Sequence, residues 1–331
     1  MMKELIKKTK LYAAFYKVKT KSYLRKSYLR AKKLKDGEYE SYLIERTYEF
    51  FKKYDYSRPF AYRINFENPT SFTEKMQWIK LYDQNKKKTL YTDKYEVRKH
   101  IAKVLGEEYL IPLIRVNGKD VFQNPKEIDF SKLPNKFVIK CTHGSHMNII
   151  VKDKNSLTKS EITRIKRKLN KWLKIDYSCF VGLELQYRDI KPRIIIEKYM
   201  DDGNRGLCDY KIFCFSGEPK FLSLNFDRGT DKYTETYFDL DFSPLNFVLG
   251  NHPTKKDIIK PKELSELIKL SEKLAEDFTI VRTDFYIIDG RIYFGELTFS
   301  PGSGFDFPNP ITFDKPLGKL LRINKDKRKI N

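Results

Sequence analysis

Between residues 281 and 304 the chain reads VRTDFYIIDGRIYFGELTFSPGSG. Two runs rich in β-branched and aromatic residues, Ile280–Ile287 and Ile292–Phe299, flank Asp289-Gly290, so the stretch is predicted to be an antiparallel hairpin. Each arm carries one acid among apolar neighbours, Asp284 and Glu296. A buried carboxylate is costly unless it is paired or bound to a cation, so any fold containing this hairpin must supply one. Magnesium fits, because it takes few protein carboxylates and completes its shell with phosphate and water. Arg282, Lys211 or another base would meet the same need structurally. Thr298, two residues from Glu296, shares its face. Register limits the metal reading. With a plain two-residue turn Ile288 faces Arg291 and Asp284 faces Gly295, which puts Glu296 on the opposite side. Shared metal binding therefore needs an odd-length loop or a bulge, and Gly290 is the expected place for it.

A second constellation lies upstream. Lys140 ends a predicted strand, and Cys141-Thr-His-Gly144-Ser145-His146-Met-Asn148 leads directly into another, Ile149–Val151. Gly144 and the small Ser145 would let backbone N–H groups approach phosphate oxygens, with Lys140 as a point charge. One glycine in a hairpin loop more often only makes a turn. His143 and His146 have no third ligand nearby in sequence and read as loop residues, not as a zinc site.

The remaining pattern alternates helices and strands. Helices are predicted from Ser71 to Leu81, from Asp93 to Leu105, after the Thr158-x-x-Glu161 capping box, and over about 261–278. Strands are predicted at the apolar LIPLI stretch, at Lys136–Lys140, at Arg193–Tyr199, at Asp209–Phe215 and Lys220–Phe226 around Ser216-Gly217, and at Tyr233–Leu240. This mixture implies an α+β chain.

Charge narrows the partners. The formal net charge is +22 over 331 residues, but residues 1–35 carry +12 and residues 319–331 carry +5, which leaves +5 for the other 283. A nearly balanced middle argues against nucleic acid running through the fold. The basic ends, with a KSYLR duplication at 21–30, suit either a solvated helix or attachment to an anionic lipid surface. The four cysteines form no C-x-x-C pair and read as reduced residues of a cytoplasmic protein. No apolar run of membrane-spanning length and no secretion signal is visible.

Taken in order, these motifs resemble the ATP-grasp superfamily. VRTDF…YFGELTFSPGSG looks like its R-x-D…E-x-N-x-x-P-G signature, seen in D-alanine–D-alanine ligases. YTDKYEVRKHI, NKFVIKCTHGSHMNIIVKDK, KPRIIIEKYM, DYKIFCFSGEPKF and GELTFSPGSGF are similar to the TupA-like (teichuronopeptide biosynthesis) ATP-grasp family, a likeness covering roughly residues 60–318. It implies an ATP-grasp fold, two α+β subdomains clasping ATP, behind an N-terminal helical region. The expected division is a basic extension at 1–60, the first part of the core at 61–135, a flap subdomain at 136–200, a catalytic subdomain at 201–318 and a basic tail at 319–331.

Residue by residue, Lys140 matches the lysine that reaches the nucleotide phosphates, Gly144-Ser145 the flap over them, and Lys94 an upstream lysine of the same site. Glu197 matches the hinge acid near adenine or ribose, followed by the adenine-reading backbone of Lys198, Tyr199 and Met200. Lys211 matches a base near the γ-phosphate, Arg282 the arginine that stabilises an acyl-phosphate and the tetrahedral oxyanion, and Asp284 and Glu296 the magnesium ligands. Thr298 departs from the usual Asn, which suggests a second ion held through water; Gly302 and Ser303 fall where related ligases meet the acceptor. The resemblance implies ATP and Mg²⁺ as cofactors and an amide-forming ligase. Its substrates would be a small amine or amino acid and a uronic-acid-type carboxylate on a polysaccharide or lipid-linked sugar, at the inner face of the membrane.

Two rival readings remain. Asp239-Leu240-Asp241 has the D-x-D pattern of glycosyltransferases, and an ATP-grasp kinase would phosphorylate a hydroxyl and stop.

Overall fold

The computed structural model describes residues 25–54, 64–201, 207–228 and 230–330. Most of the expected basic N-terminal helix lies outside the described residues; 25–31 is helical, and helix α1 follows at Tyr39–Tyr54.

Two antiparallel sheets organise the chain. The smaller has strand order β1-β4-β2-β3, formed by Val121–Phe122 (β1), Phe137–Cys141 (β2), Asn148–Val151 (β3) and Ile194–Lys198 (β4). Helix α5, Lys159–Trp172, covers it and begins with the expected capping box between Thr158 and Glu161. Leu169 of that helix packs with Phe137, Ile139, Cys141, Ile194 and Ile196.

The larger sheet has order β10-β9-β5-β6-β7, formed by Asp209–Phe215 (β5), Glu218–Phe226 (β6), Thr234–Phe238 (β7), Ile280–Ile288 (β9) and Arg291–Thr298 (β10). Helix α6, Leu264–Ala275, buries Leu264, Leu267, Leu270 and Leu274 against Ile212, Cys214, Leu222, Val281 and Phe285. Side chains alternate along a strand, so Lys211, Phe213, Arg282 and Asp284 point to the other face. The short pair β8 (Val248–Leu249) and β11 (Pro308–Asn309) borders that face.

The predicted LIPLI strand is absent. Leu110 and Leu113 each make a single bridge, to Phe294 and Glu197 respectively, because Pro112 between them has no N–H for a ladder. The predicted 93–105 helix is shorter: α3, Lys86–Thr92, ends at Asp93, and α4, Val97–Val104, begins after a turn that holds Lys94.

Helix α2, Phe72–Tyr82, opens where expected, and Ser71 and Glu74 form a reciprocal capping box that was not anticipated from the sequence. Its apolar residues Phe72, Met76 and Ile79 are buried, but so are Thr73, Gln77 and Lys80. Polar residues are tolerated there because each has a partner, Thr73 on Asp314 and Gln77 and Lys80 on the 301–304 turn. Helix α7, Asp314–Leu320, packs on α2 so closely that a Cβ at Gly318 would lie 2.3 Å from the Thr70 carbonyl oxygen. Among the described residues no helix is long and apolar enough to cross a membrane.

Candidate active site

The hairpin settles the register question in an unexpected place. Asp289 and Gly290, both at positive φ (51° and 73°), form a two-residue turn with Ile288 opposite Arg291. The irregularity is at Gly295 instead, between Phe294 and Glu296, and it sets Glu296 directly opposite Asp284 and Thr298 opposite Arg282. The apolar face carries the same break. Ile292 and Phe294 pack against the helix side before the bulge, and Leu297 and Phe299 after it.

Arg282 ties this face together. Its Nε donates to Asp284 Oδ1 at 2.6 Å, and its Nη2 donates to Asp284 Oδ2 (2.7 Å), Thr298 Oγ1 (3.1 Å) and Glu296 Oε1 (3.3 Å). Thr298 Oγ1 in turn donates to Glu296 Oε1 at 2.9 Å. Lys211, from the adjacent strand and opposite Asp284 in register, closes a buried ion pair on Asp284 Oδ2. Burial opposes ionisation of Glu296, but Lys94, Arg282, Lys211 and Arg228 outweigh it and hold its carboxyl well below the usual range. Burial likewise opposes charge on Arg282, and Asp284 more than restores it.

Lys94 joins the two sheets. Arg193, at the start of β4, reaches Asp93 (2.6 Å) and Glu96 (2.8 Å) and pins the turn between α3 and α4. From that turn Lys94 donates to the Gly144 carbonyl at 2.9 Å and stands 4.0 Å from Glu296. Burial lowers its pKa and Glu296 raises it. Lys140 and Glu197, read separately from the sequence, form an ion pair on one face of the small sheet, with Arg98 at 3.8 Å from Glu197. Lys198, Tyr199 and Met200 continue that strand outward and are exposed or half-buried.

Gly144 is buried for a packing reason: a Cβ there would lie 2.7 Å from Tyr177 Cδ2 and 2.9 Å from Met147 Sδ. Ser145, not Gly144, lines a cavity of about 500 Å³ that also touches Lys211, Arg282, Glu296 and Thr298 and ends on Gly302 and Ser303. Both of those residues have φ of 56°. The turn they form is held from beneath, Lys80 Nζ donating to the Ser303 carbonyl (2.8 Å) and Gln77 Nε2 to the Gly304 carbonyl (2.6 Å).

Sequence reasoning missed several residues of this cavity. Glu184, 6% exposed, accepts from Ser300 Oγ at 2.8 Å. Glu235 accepts from Tyr237, Ser223 and Tyr233. Asp306 presses on Gly302, where a Cβ would come within 1.9 Å of Asp306 Oδ2. Arg228 reaches the cavity from an exposed loop position. Lys80 and Gln77, which support the 301–304 turn, share their helix with Thr73, Glu74 and Lys75 and so carry no distinguishing signal; Glu184 sits in a short irregular segment with no periodic signal.

Oxygen donors on two adjacent strands suit a hard cation. Among the described residues no three His, Cys, Asp or Glu side chains gather to hold a metal alone. A divalent cation held by this pair would have to bring most of its ligands with it, as magnesium does with phosphate and water. His143 is buried with Nε2 3.1 Å from the Trp172 carbonyl, and His146 is exposed at the cavity. Cys141 is buried and its thiol is pushed up to about 12 by burial, which makes it a packed strand residue. Asp239-Leu240-Asp241 is a turn: Asp239 Oδ1 accepts from the backbone N–H groups of Asp241 (3.0 Å) and Ser243 (2.7 Å).

The TupA-like ATP-grasp family model matches residues 74–322, three-quarters of the chain. The chain belongs to that family. No curated protein matches it. Solved structures similar to it include the D-alanine–D-alanine ligase from Helicobacter pylori (17% identity, 76% of this chain and 70% of that one, TM-score 0.42). Another is the D-alanine–D-alanine ligase from Bacillus anthracis complexed with ATP (17%, 64% and 56%, TM-score 0.37). A third is the L-amino acid ligase from Bacillus licheniformis (12%, 65% and 41%, TM-score 0.36). This chain thus matches little more than half the length of the Bacillus anthracis enzyme, and likeness at these scores carries no argument about substrate.

Proposed function

We propose that the chain joins a carboxylate to an amine at the expense of ATP, through an acyl-phosphate. One observation carries the reading. The bulge at Gly295 brings Glu296 onto the face of the large sheet that already carries Asp284, Arg282 and Lys211, beside a cavity that ends on the 301–304 turn.

In this reading residues 136–200 are the flap and 201–318 the catalytic subdomain, with ATP between the two sheets. Lys140 and Lys94 meet the phosphates, with Gly144 and Ser145 over them. Glu197 and the backbone of Lys198 to Met200 take the ribose and adenine. Asp284, Glu296 and Thr298 would hold magnesium, which supplies charge neutralisation at the transferring phosphoryl group when bound. Lys211 orients the γ-phosphate, and Arg282 stabilises the oxyanion formed when the amine attacks the acyl carbon. Gly302 and Ser303 border the acceptor. Because phosphoryl and acyl transfer are served by positioning and charge, no side-chain nucleophile is required.

The finer assignment is a uronic-acid-type carboxylate on a polysaccharide or lipid-linked sugar, joined to an amino acid or amine during cell-surface polysaccharide assembly. It rests on the family likeness. Peripheral attachment to an anionic inner membrane face through the basic ends belongs to the same proposal. At the C-terminal end two of the bases are already paired with the body, Lys327 with Asp83 and Arg328 with Glu40, so attachment would fall mainly to the N-terminal residues.

The test is ADP release against a panel of uronates crossed with amino acids and amines, with Lys140→Ala and Glu296→Gln as controls. Amide in the product supports the ligase. Phosphate retained on a hydroxyl, without amide, would establish the kinase alternative, and turnover of a nucleotide sugar without ATP the glycosyltransferase.

A further inference from the structure

The ligase reading leaves one chemical step without a group to perform it. An amine arrives at neutral pH as an ammonium, and its nitrogen has no lone pair until a proton leaves. We propose that Glu184 is the general base that takes this proton, and the inference rests on the ligase reading above.

The placement is specific. Glu184 lines the same cavity as Glu296, Thr298 and Ser303, so it faces the space between the proposed magnesium ligands and the acceptor turn. Its orientation is fixed by a directional relay. Gln186 Nε2, which can only donate, reaches Ser300 Oγ at 2.6 Å, so the Ser300 proton is free for Glu184 Oε1 at 2.8 Å. Ser300 lies between Thr298 and the 301–304 turn, so the relay locks the base to the reacting end of the cavity. The groups that act on Glu184 come from several elements. Lys80 of α2 attracts it, while Glu296 of β10 opposes its ionisation. Tyr177 and Tyr187, in turns on either side of it, are coupled to it in the same field. Burial raises its pKa toward the range where a carboxylate accepts a proton from an ammonium, and Lys80 restrains that rise.

The step balances. The ammonium gives one proton to the Glu184 carboxylate, and the freed nitrogen pair forms the C–N bond at the acyl carbon. The C–O bond to phosphate breaks with its electron pair. The second nitrogen proton leaves on the departing phosphate as hydrogen phosphate, and Glu184 returns its proton to solvent.

The test compares two nucleophiles, using ATP and the carboxylate–amine pair that the panel identifies. Hydroxylamine is uncharged at neutral pH and needs no base, so hydroxamate formation reports acyl-phosphate supply alone. Glu184→Gln is expected to lower amide formation by about 10²–10⁴-fold with KM for ATP unchanged, while hydroxamate stays close to wild type. The acid limb of the wild-type pH profile should vanish with it. Hydroxamate falling in parallel with amide, or amide formation unchanged, would overturn the assignment. Glu184→Asp guards against a folding defect: it should keep hydroxamate and lose part of the amide rate, and loss of both from a folded Asp variant also overturns it. If wild type releases no ADP with any pair, the ligase reading falls and this base falls with it.

Discussion

Replacing Gly144 by alanine separates two explanations of the loop between β2 and β3. If the glycine only makes a turn, alanine should be neutral or stabilising, because its φ is not left-handed and a Cβ shrinks the unfolded ensemble by about 0.4–1 kcal/mol. The packing predicts the opposite sign. The new Cβ meets Tyr177 Cδ2 at 2.7 Å, Met147 Sδ at 2.9 Å and Tyr177 Cγ at 3.1 Å. Met147 can turn aside, but Tyr177 is wedged between Phe180 (ring centroids 5.5 Å) and Tyr187 (4.7 Å). Overpacking of this kind costs about 1–3 kcal/mol. With an unfolding entropy of about 2.1 cal/mol/K per residue, that is a fall of about 1.5–4 °C in Tm for a chain of this length. The backbone must also shift, which moves the Gly144 carbonyl away from Lys94 and should raise the KM for ATP several-fold. Calorimetry and ATP-dependence of ADP release measure the two effects. A Tm equal to or above wild type would refute the packing argument, whatever happened to the kinetics.

Two further outcomes follow from buried charge. Asp284→Ala removes the nearest partner of Lys211, which is 2% exposed, and leaves it only Asp209 at 3.8 Å, while Arg282 keeps Glu296 at 3.3 Å; the loss should be about 3 kcal/mol in urea denaturation. Adding Lys211→Met should recover part of that loss, and a double variant as unstable as the sum of the singles would contradict it. Asp306 has its carboxyl pushed up to about 6 by burial and by Glu235. A raised acid binds its proton more tightly folded than unfolded, so it lowers stability as pH rises from about 4 to 6. Asp306 is only partly buried, so the loss is about 1 kcal/mol instead of the fuller amount such a shift allows. Asp306→Asn should flatten the slope in that window, and an unchanged slope in the variant would assign the titration elsewhere.

Most of the framework was legible because its signals are local. A capping box needs two residues three apart, and Thr158–Glu161 caps its helix. Two-residue turns announce themselves as Ser216-Gly217 and Asp289-Gly290, all four at positive φ. The failures have equally local causes. Pro112 broke a strand that apolar composition alone had suggested, and the Asp93 turn interrupted a helix that periodicity would have run through. What could not be read was contact between distant segments. Nothing in the sequence says that Glu184 meets Ser300, 116 positions away, or that Lys140 pairs with Glu197 across β2 and β4.

The bulge is the instructive case, because its signal was present and was sought at the wrong residue. Asp284 and Glu296 need to share a face, which requires one extra residue somewhere in the hairpin. Gly290 offered conformational freedom, but its turn partner Asp289 also accepts positive φ, and together they close the hairpin without an extra residue. The apolar side decides the position. From Ile292 to Phe294 the spacing is two, from Phe294 to Leu297 it is three, and from Leu297 to Phe299 it is two again. A strand keeps its greasy side on the helix, so the change of parity must fall between Phe294 and Leu297. Of the two residues in that gap Glu296 is needed on the opposite face, and Gly295 lies so close to β9 that a Cβ would stand 3.0 Å from the Asp284 carbonyl oxygen. The same glycine that admits the bulge therefore brings the two strands together at the point where their carboxylates meet.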